Sequence, residues 1–461
     1  MKRKPNLLFF GIDSLRRDHM SLYGYRRLTT PHMSEYLKDG VVFENCFSPS
    51  IPTTPGYSSM LTGMDCFSTN VVALRHEGAI AEGVKTLPEI LRENGYVTSC
   101  VGFSGNAGGK GFDKYADYEG WSPRFDGRCS KAENLNAVAL PEMERLAKEG
   151  KPFMLFLRHM DPHAPYLAPA PFETMFYQGN AFDKDNSSLE DLFNFKPFGS
   201  FHKSWFPEGC TDSNYVIAQY DAEVAYMDSC MPAVFEKLRV LGLEEETLVV
   251  FTSDHGETLY DHRCYFDHHG LYDCTLNVPF ALRYKGNLTG GIRVPDIVQL
   301  KDIVPTILDI MGISVDINFD GRDLLPLVTG KTVCPETGFY ITEATWMRKH
   351  GWRTPQYKFI RALEPDFHYK PEVELYDLIA DPDENVNIAP IRKDLVDFFD
   401  NKVLCHITKR EKEAGRTNPM YTNTNWNGFG RFFASSDEAY NSLFIGGIKH
   451  AIKLQDKEKD E

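Results

Sequence analysis

Short, nearly unbroken apolar runs alternate along the chain with longer stretches of helical periodicity. Asn6–Asp13, Val97–Phe103, Phe153–Met160, Thr247–Thr252 and Phe280–Tyr284 predict strands. Pro31–Lys38, Leu87–Asn94, Ala132–Lys148, Tyr215–Val240 and Leu300–Met311 predict helices. Thr29 and Thr30 are available as caps for the first of these, and Gly40, Gly95 and Gly312 stand as stops. Strands without polar alternation, separated by helices, imply a mostly parallel sheet covered on both faces. The rhythm changes near residue 336. Phe339–Glu343, Tyr357–Arg361 and Val373–Tyr376 read as short strands without long crossovers, closed by a helix near Ile391–Phe399. From about His406 the chain turns polar, carries Trp426, Phe429, Phe432 and Phe433, and ends in the charge run Asp456–Glu461, expected to be disordered. The pattern thus divides into 1–335, 336–405 and a C-terminal extension 406–461. The aromatic part of that extension either joins copies into a homo-oligomer or packs on its own domain.

Composition narrows the class. In 461 residues there are 50 Lys+Arg against 65 Asp+Glu, a net charge of −15, and 42% of residues are hydrophobic. That is enough for a packed core, and the acid excess argues against a nucleic-acid partner. The basic start Met1-Lys2-Arg3-Lys4 and the apolar Leu7–Phe10 resemble a signal peptide, but the apolar stretch is short and leads into Gly11-Ile12-Asp13 with no cleavage site. No run approaches a membrane span, so no membrane partner is expected. The ten cysteines show no metal-binding spacing. They read as reduced, buried thiols of a cytoplasmic protein.

The polar residues that carry chemistry fall at predicted strand ends, where doubly wound sheets bind ligands. Asp13 ends the first strand; His159, Asp161 and His163 follow the strand ending near Met160; Asp254-His255 follows the strand Thr247–Thr252. His268-His269 lies on a later loop. Oxygen and imidazole ligands of this kind suit Mn²⁺, Zn²⁺, Fe²⁺ or Mg²⁺ better than a thiolate-seeking metal. Each has an ordinary reading as well: a lone Asp is a common cap or turn residue, and a His pair can sit exposed. The stretch Pro52–Gly63 reads as a loop entering a helix, where a hydroxyl would feel the positive helix end. Thr53 or Thr54 could equally be a plain N-cap.

Taken in order, these segments resemble the sulfatases of the alkaline phosphatase superfamily over roughly residues 5–400. Gly11–Asp18, Tyr23-Gly24-Tyr25 and Thr30-Pro31 resemble their first metal-binding strand and loop, and Pro52–Gly63 their nucleophile helix. Asp161–Tyr166 resembles their PHxPY segment, and Thr252–Glu257 and Tyr272…Val278-Pro279 are similarly close. Glu374–Leu378, Asp381-Pro382, Asn385 and Asn387 resemble their small C-terminal domain. The resemblance implies an α/β fold, an alkaline-phosphatase-like sandwich with a mostly parallel central sheet plus a small C-terminal α+β domain, and a hydrolase acting on ester bonds of small anionic substrates.

The departures redirect the chemistry. Where sulfatases carry CxPxR, whose Cys or Ser becomes formylglycine, this chain has Thr53-Thr54-Pro55-Gly56-Tyr57. Oxidised threonine would be a ketone, so no formylglycine is expected. The family's GKWH segment is Gly102-Phe103-Ser104-Gly105, the second Asp of its first motif is Ser14, and Asp254-His255 resembles the phosphodiesterases and phosphonate monoester hydrolases rather than the calcium sulfatases. A sulfo-threonine has no easy collapse, whereas water can attack a phospho-threonine under metal activation. The resemblance therefore implies Asp13, Thr53, Asp254 and His255 as ligands of a divalent metal (Mn, Zn, Fe or Mg before calcium), and Thr53 as nucleophile. His163 and either His268 or His269 would assist catalysis, while Tyr57 and His159 would contact substrate. Tyr57 in the Arg position removes a positive charge beside Thr53, which favours diester-like or phosphonate monoester groups. A second metal on Asp161, His163 and His269 is a further arrangement. A sulfatase working without formylglycine and a non-catalytic binding relative are the alternatives. A phosphotransferase acting on membrane lipid is disfavoured.

Overall fold

The computed structural model describes residues 4–73, 79–120, 129–196, 198–331, 335–423 and 434–441. Thirteen strands appear among them: β1 Asn6–Ile12, β2 Val41–Phe47, β3 Ser50–Ile51, β4 Val97–Val101, β5 Lys114–Ala116, β6 Phe153–His159, β7 Thr247–Ser253, β8 Asn277–Arg283, β9 Ile292–Gln299, β10 Phe339–Ala344, β11 Arg348–Arg353, β12 Tyr357–Ala362 and β13 Val373–Asp377. Eight form one sheet in the order β5-β4-β6-β1-β7-β8-β2-β9. Every pairing in it is parallel except those of β8 with β7 and β2. The expected mostly parallel α/β sheet is present.

The unbroken apolar strands divide by parity between two cores. Leu8, Phe10 and Ile12 of β1, Leu155 and Leu157 of β6, and Val249 and Phe251 of β7 pack under the helices Lys131–Glu149 and Ser213–Val240. Leu7 and Phe9, Met154 and Phe156, Leu248 and Val250 face the other way. There they meet Tyr57, Met60 and Leu61 of the helix Thr53–Thr62 and Ile303, Val304 and Ile307 of the helix Ile303–Ile310. Alternation along a strand accounts for this division.

The small second sheet has the order β13-β12-β11-β10-β3 and is antiparallel except for β10 with β3. Its strand β3 ends at Ile51, directly before Pro52 and the helix Thr53–Thr62, so both sheets anchor that helix. The predicted helix near Ile391–Phe399 runs instead over Lys393–Ala414, and Val396, Phe399, Val403 and Ile407 form its buried stripe. The boundary expected at 405/406 therefore falls within a helix. Trp426, Phe429, Phe432, Phe433 and the terminal charge run lie outside the described residues. The described cysteines are all free, and no helix among the described residues is long and apolar enough to cross a membrane.

Candidate active site and metal centre

Parallel register brings the ends of β1, β6 and β7 level: Ile12 pairs with His159 on one side and Ser253 on the other. The amide of Asp13 donates to the His159 carbonyl at 3.0 Å, and that of Asp254 to the Ile12 carbonyl at 3.3 Å. Asp13 and Asp254 are thereby fixed side by side at the carboxyl edge of the sheet. Ser14 follows with φ 59°, a left-handed conformation uncommon outside glycine. In it the Ser14 amide donates to Asp254 Oδ1 at 3.2 Å and its hydroxyl to Asp13 Oδ1 at 3.0 Å.

The helix Thr53–Thr62 is buried at all ten positions. Pro52 occupies its N-cap position without a side-chain cap, so Thr53 is the first helical residue and not the cap. Its hydroxyl lies 3.2 Å from His255 Nε2. Gly56 allows this approach: a Cβ there would sit 2.7 Å from the Asp254 carbonyl oxygen. Thr54 Oγ1 accepts from Asn106 Nδ2 at 3.2 Å.

The donor set fits a divalent cation. His255 Nδ1 lies 2.8 Å from the Gly256 carbonyl, which can only accept, so the ring proton belongs there. The Nε2 lone pair then faces Thr53 Oγ1, Asp254 Oδ2 at 3.4 Å and Asp13 Oδ1 at 4.0 Å. Asp254 Oδ2 is buried and has no hydrogen-bond partner among the described residues. Lone pairs converging in a buried site repel unless a cation lies between them. Burial, then the charge of Asp13, push the Asp254 carboxyl well above the ordinary range. Burial acts on Asp13 in the same sense, but the Arg158 guanidinium, helped by His163, His255 and His268, holds it well below that range.

Arg158 was not singled out from the sequence. It leaves the end of β6 on the Met154/Phe156 face, the face of Tyr57 and the Thr53 helix. Its Nη2 pairs with Asp13 Oδ2. The guanidinium lies 5.7 Å from the Tyr57 ring centroid and 5.1 Å from that of Phe103. Tyr57 is fully buried, donates to the Gly11 carbonyl at 3.2 Å, and forms the floor under Arg158. Where Tyr57 stands in place of a helix-borne Arg, a strand thus delivers a positive charge over the Tyr57 ring and against Asp13. His159, one residue later, points to the opposite face by strand parity, stacks on Phe10 at 6.0 Å, and is buried with its pKa lowered to about 4. It lies away from the site, which corrects the expectation that it contacts substrate.

The remaining candidates separate as well. The His268 ring lies 4.6 Å from that of His255 and 5.9 Å from that of His163, so these three imidazoles line one side of the site. Burial lowers His268 to about 3. His163 Nδ1 is 2.7 Å from the Ala164 carbonyl. His269 turns towards the second sheet, with Nδ1 3.7 Å from Glu343 and its ring 5.0 Å from that of His368. The arrangement of Asp161, His163 and His269 around one ion is not formed. Asp161 lies instead 3.2 Å from Lys131 Nζ, which also pairs with Glu223 at 3.0 Å. A separate group, Glu257, Asp267 and His268, gathers beside His255; Glu257 was visible in the Asp254–Glu257 motif, but nothing in its spacing joined it to Asp267.

Comparison with known proteins agrees with this architecture. The Sulfatase family model matches residues 5–313, and the N-sulphoglucosamine sulphohydrolase C-terminal model matches residues 261–405. Arylsulfatase K of Rattus norvegicus is 31% identical over 273 residues, 53% of this chain and about half, 47%, of that protein. The multifunctional alkaline phosphatase superfamily protein PehA of Trinickia caryophylli is 25% identical over 72% of this chain and 78% of its own length. Among solved structures, the phosphonate monoester hydrolase of Agrobacterium radiobacter superposes with a TM-score of 0.72 at 21% identity, covering 88% of this chain and 96% of that one.

Proposed function

The chain belongs to the sulfatase family of the alkaline phosphatase superfamily and is an ester-bond hydrolase, and within that family we propose that it is a metal-dependent hydrolase of phosphate diesters or of phosphonate and phosphate monoesters, with Thr53 as nucleophile. The observation that carries this reading is the Thr53 hydroxyl at the start of a buried helix, 3.2 Å from His255 Nε2, where no cysteine is available for oxidation to formylglycine. The name of PehA and the likeness to a phosphonate monoester hydrolase support phosphorus.

Asp13, Thr53, Asp254 and His255 would hold the divalent cation, which when bound acidifies the Thr53 hydroxyl and draws electron density from a nonbridging substrate oxygen. Thr53 Oγ attacks phosphorus as the P–O bond to the leaving group breaks, giving a phospho-threonine and a free alcohol. Arg158 keeps one nitrogen on Asp13, while its Nε has no hydrogen-bond partner among the described residues. That N–H is available to a second nonbridging oxygen. His268 has Nδ1 towards Asp267 and Glu257, which leaves the Nε2 lone pair to accept the Thr53 proton and pass it to the leaving oxygen. His163 stands beside it as a second proton carrier. Attack of water on the phospho-threonine, with the proton passed to Thr53 Oγ, returns the enzyme.

A sulfatase working from unmodified Thr53 is the second reading, favoured by the names of most relatives. The test is to load purified protein with metal and compare aryl sulfate, phosphate monoester, phosphate diester and phosphonate monoester, with mass spectrometry of the Thr53 peptide during turnover. Turnover of phosphorus esters with a transient phosphate adduct on Thr53 is expected. Turnover of sulfate alone, or full activity in Thr53→Ala, would overturn the reading.

A further inference from the structure

A second set of ligand-type atoms lies beside the first and is not used by it as a metal site. Glu257, Asp267 and His268 each offer one atom, all within 4.8 Å of one another. His268 Nδ1 is 3.1 Å from Asp267 Oδ1 and 3.9 Å from Glu257 Oε1. Glu257 is 1% exposed and His268 7%. Glu257 Oε1 is buried without a hydrogen-bond partner among the described residues. A carboxylate oxygen in that condition keeps its desolvation penalty unless a proton or a cation answers it.

The scaffold around this group is specific. Glu257 follows His255 by two residues and so is tied to the end of β7. The loop carrying Asp267 and His268 is pinned to Thr258, whose amide donates to the Asp267 carbonyl at 2.9 Å. Asp267 Oδ2 is engaged from the far side by Trp346 Nε1 at 3.4 Å and His269 Nε2 at 3.2 Å. Its Oδ1 accepts from the His268 amide at 2.8 Å and faces the His268 ring nitrogen. A proton on His268 Nδ1 shared with Asp267 would leave Glu257 Oε1 unanswered, whereas a cation between the three satisfies all of them. Two carboxylates and an imidazole form a ligand set for Mn²⁺, Zn²⁺, Fe²⁺ or Mg²⁺.

We propose that Glu257, Asp267 and His268 form a second divalent-cation site, adjoining the Asp13–Asp254–His255 site across the facing rings of His255 and His268. It differs from the Asp161–His163–His269 arrangement in every residue, and it stands whichever ester the enzyme cleaves. The second ion would hold His268 by Nδ1 and fix Nε2 towards the space in front of Thr53.

The experiment counts ions, so it reads independently of turnover. Metal-free full-length protein is titrated with Mn²⁺, with free ion measured by electron paramagnetic resonance and bound ion by elemental analysis after desalting. Two ions per chain are expected in the wild type, one in Glu257→Gln and one in Asp267→Asn. Asp254→Asn should also retain one, and that one should disappear in the Asp254→Asn/Glu257→Gln double variant. Anomalous diffraction from wild-type crystals soaked in Mn²⁺ should place a peak against Glu257 and His268, a result that needs no variant to fold. A single ion in saturated wild type, two ions persisting in Glu257→Gln, or no anomalous peak beside Glu257 would overturn the proposal.

Discussion

Replacing Arg158 by methionine tests the charge reasoning most directly. The substitution keeps the unbranched apolar stem but loses the guanidinium that pairs with Asp13 and lies over the Tyr57 and Phe103 rings. Arg158 is 13% exposed and Asp13 fully buried, so the pair is of the buried kind, for which removing one partner costs about 3–5 kcal/mol. Loss of the contacts to two aromatic faces adds roughly 1 kcal/mol. The penalty should be largest without metal, because Asp13 then faces Asp254 with only imidazoles nearby. Thermal unfolding with and without Mn²⁺ should show a lower metal-free midpoint in Arg158→Met and a larger rise on adding metal than in wild type. For turnover, one charge-assisted donor to the reacting group contributes about 3 kcal/mol, so kcat/KM should fall ~10²-fold. The fall should be steeper for a dianionic monoester than for a monoanionic diester. Arg158→Lys, which keeps charge without the planar fork, should recover only part of the loss. An unchanged metal-free midpoint would refute the ion-pair argument, and kcat/KM within twofold of wild type on both esters would refute the substrate contact.

Thr53→Ala should abolish ester turnover while still binding metal through Asp13, Asp254 and His255, whereas Thr53→Ser should retain turnover; isothermal titration and a phosphonate monoester assay separate the two effects. Gly56→Ala puts a methyl 2.7 Å from the Asp254 carbonyl, and the helix must shift, so metal affinity should fall at least tenfold alongside about 1–3 kcal/mol of stability. Beside the second sheet, Asp366 is buried against Lys349 of β11. Burial opposes its ionisation, but Lys349 and His368 outweigh it and lower its pKa from 3.8 to about 2. A depressed folded pKa means stability present above pH ~4 and lost as pH falls towards 2, worth roughly 2 kcal/mol. The stability gap between wild type and Asp366→Asn in urea should therefore narrow between pH 4 and pH 2.5; a gap independent of pH would show that the pair does not carry it.

The fold was legible wherever hydrophobicity alone decides the outcome. The central strands β1, β4, β6 and β7 and the long helices lie within a few residues of their predicted positions, because burial on both faces leaves no room for polar residues. Among the elements that were passed over, β2 lies inside the sheet but is interrupted by Glu44-Asn45 where its register shifts, while others bury charge in pairs or lie at an edge. β9 carries Pro295 and sits at the sheet edge, where a missing amide is tolerated. β11 reads Arg348-Lys349-His350-Gly351-Trp352-Arg353, polar by composition yet buried throughout, because Glu364, Asp366 and Asp273 supply its counter-charges from elsewhere in the chain. The same limit applies at the site. Asp13, Thr53, Asp254 and His255 were singled out because each sits in a local motif, and the structure brings all four together. Arg158 and Asp267 take their meaning from residues more than a hundred positions away or across a loop, and no local spacing reveals that. The neighbours Arg158 and His159 make the point sharply: strand parity turns the imidazole into the core and sends the guanidinium to Asp13.

That parity also bears on how a chain of net charge −15 would take the proposed anionic ester. The acid excess is a property of the whole surface, screened beyond about 10 Å, whereas binding is set within the pocket. There, the two carboxylates Asp13 and Asp254 face one guanidinium and a lone pair on His255. With a divalent cation the local charge becomes positive by one unit, counting −2 for the carboxylates, +1 for Arg158 and +2 for the ion. Without it the carboxylates at least cancel Arg158, and the pocket offers the substrate no net positive charge. A second cation on Glu257, Asp267 and His268 would cancel the two further carboxylates and leave that balance unchanged. Substrate affinity should therefore follow occupancy of the Asp13–Asp254–His255 site and be nearly indifferent to surface charge. An inorganic phosphate Kd that tightens with Mn²⁺ and barely responds to replacing exposed glutamates would bear this out, while strong binding of phosphate to the metal-free protein would contradict it.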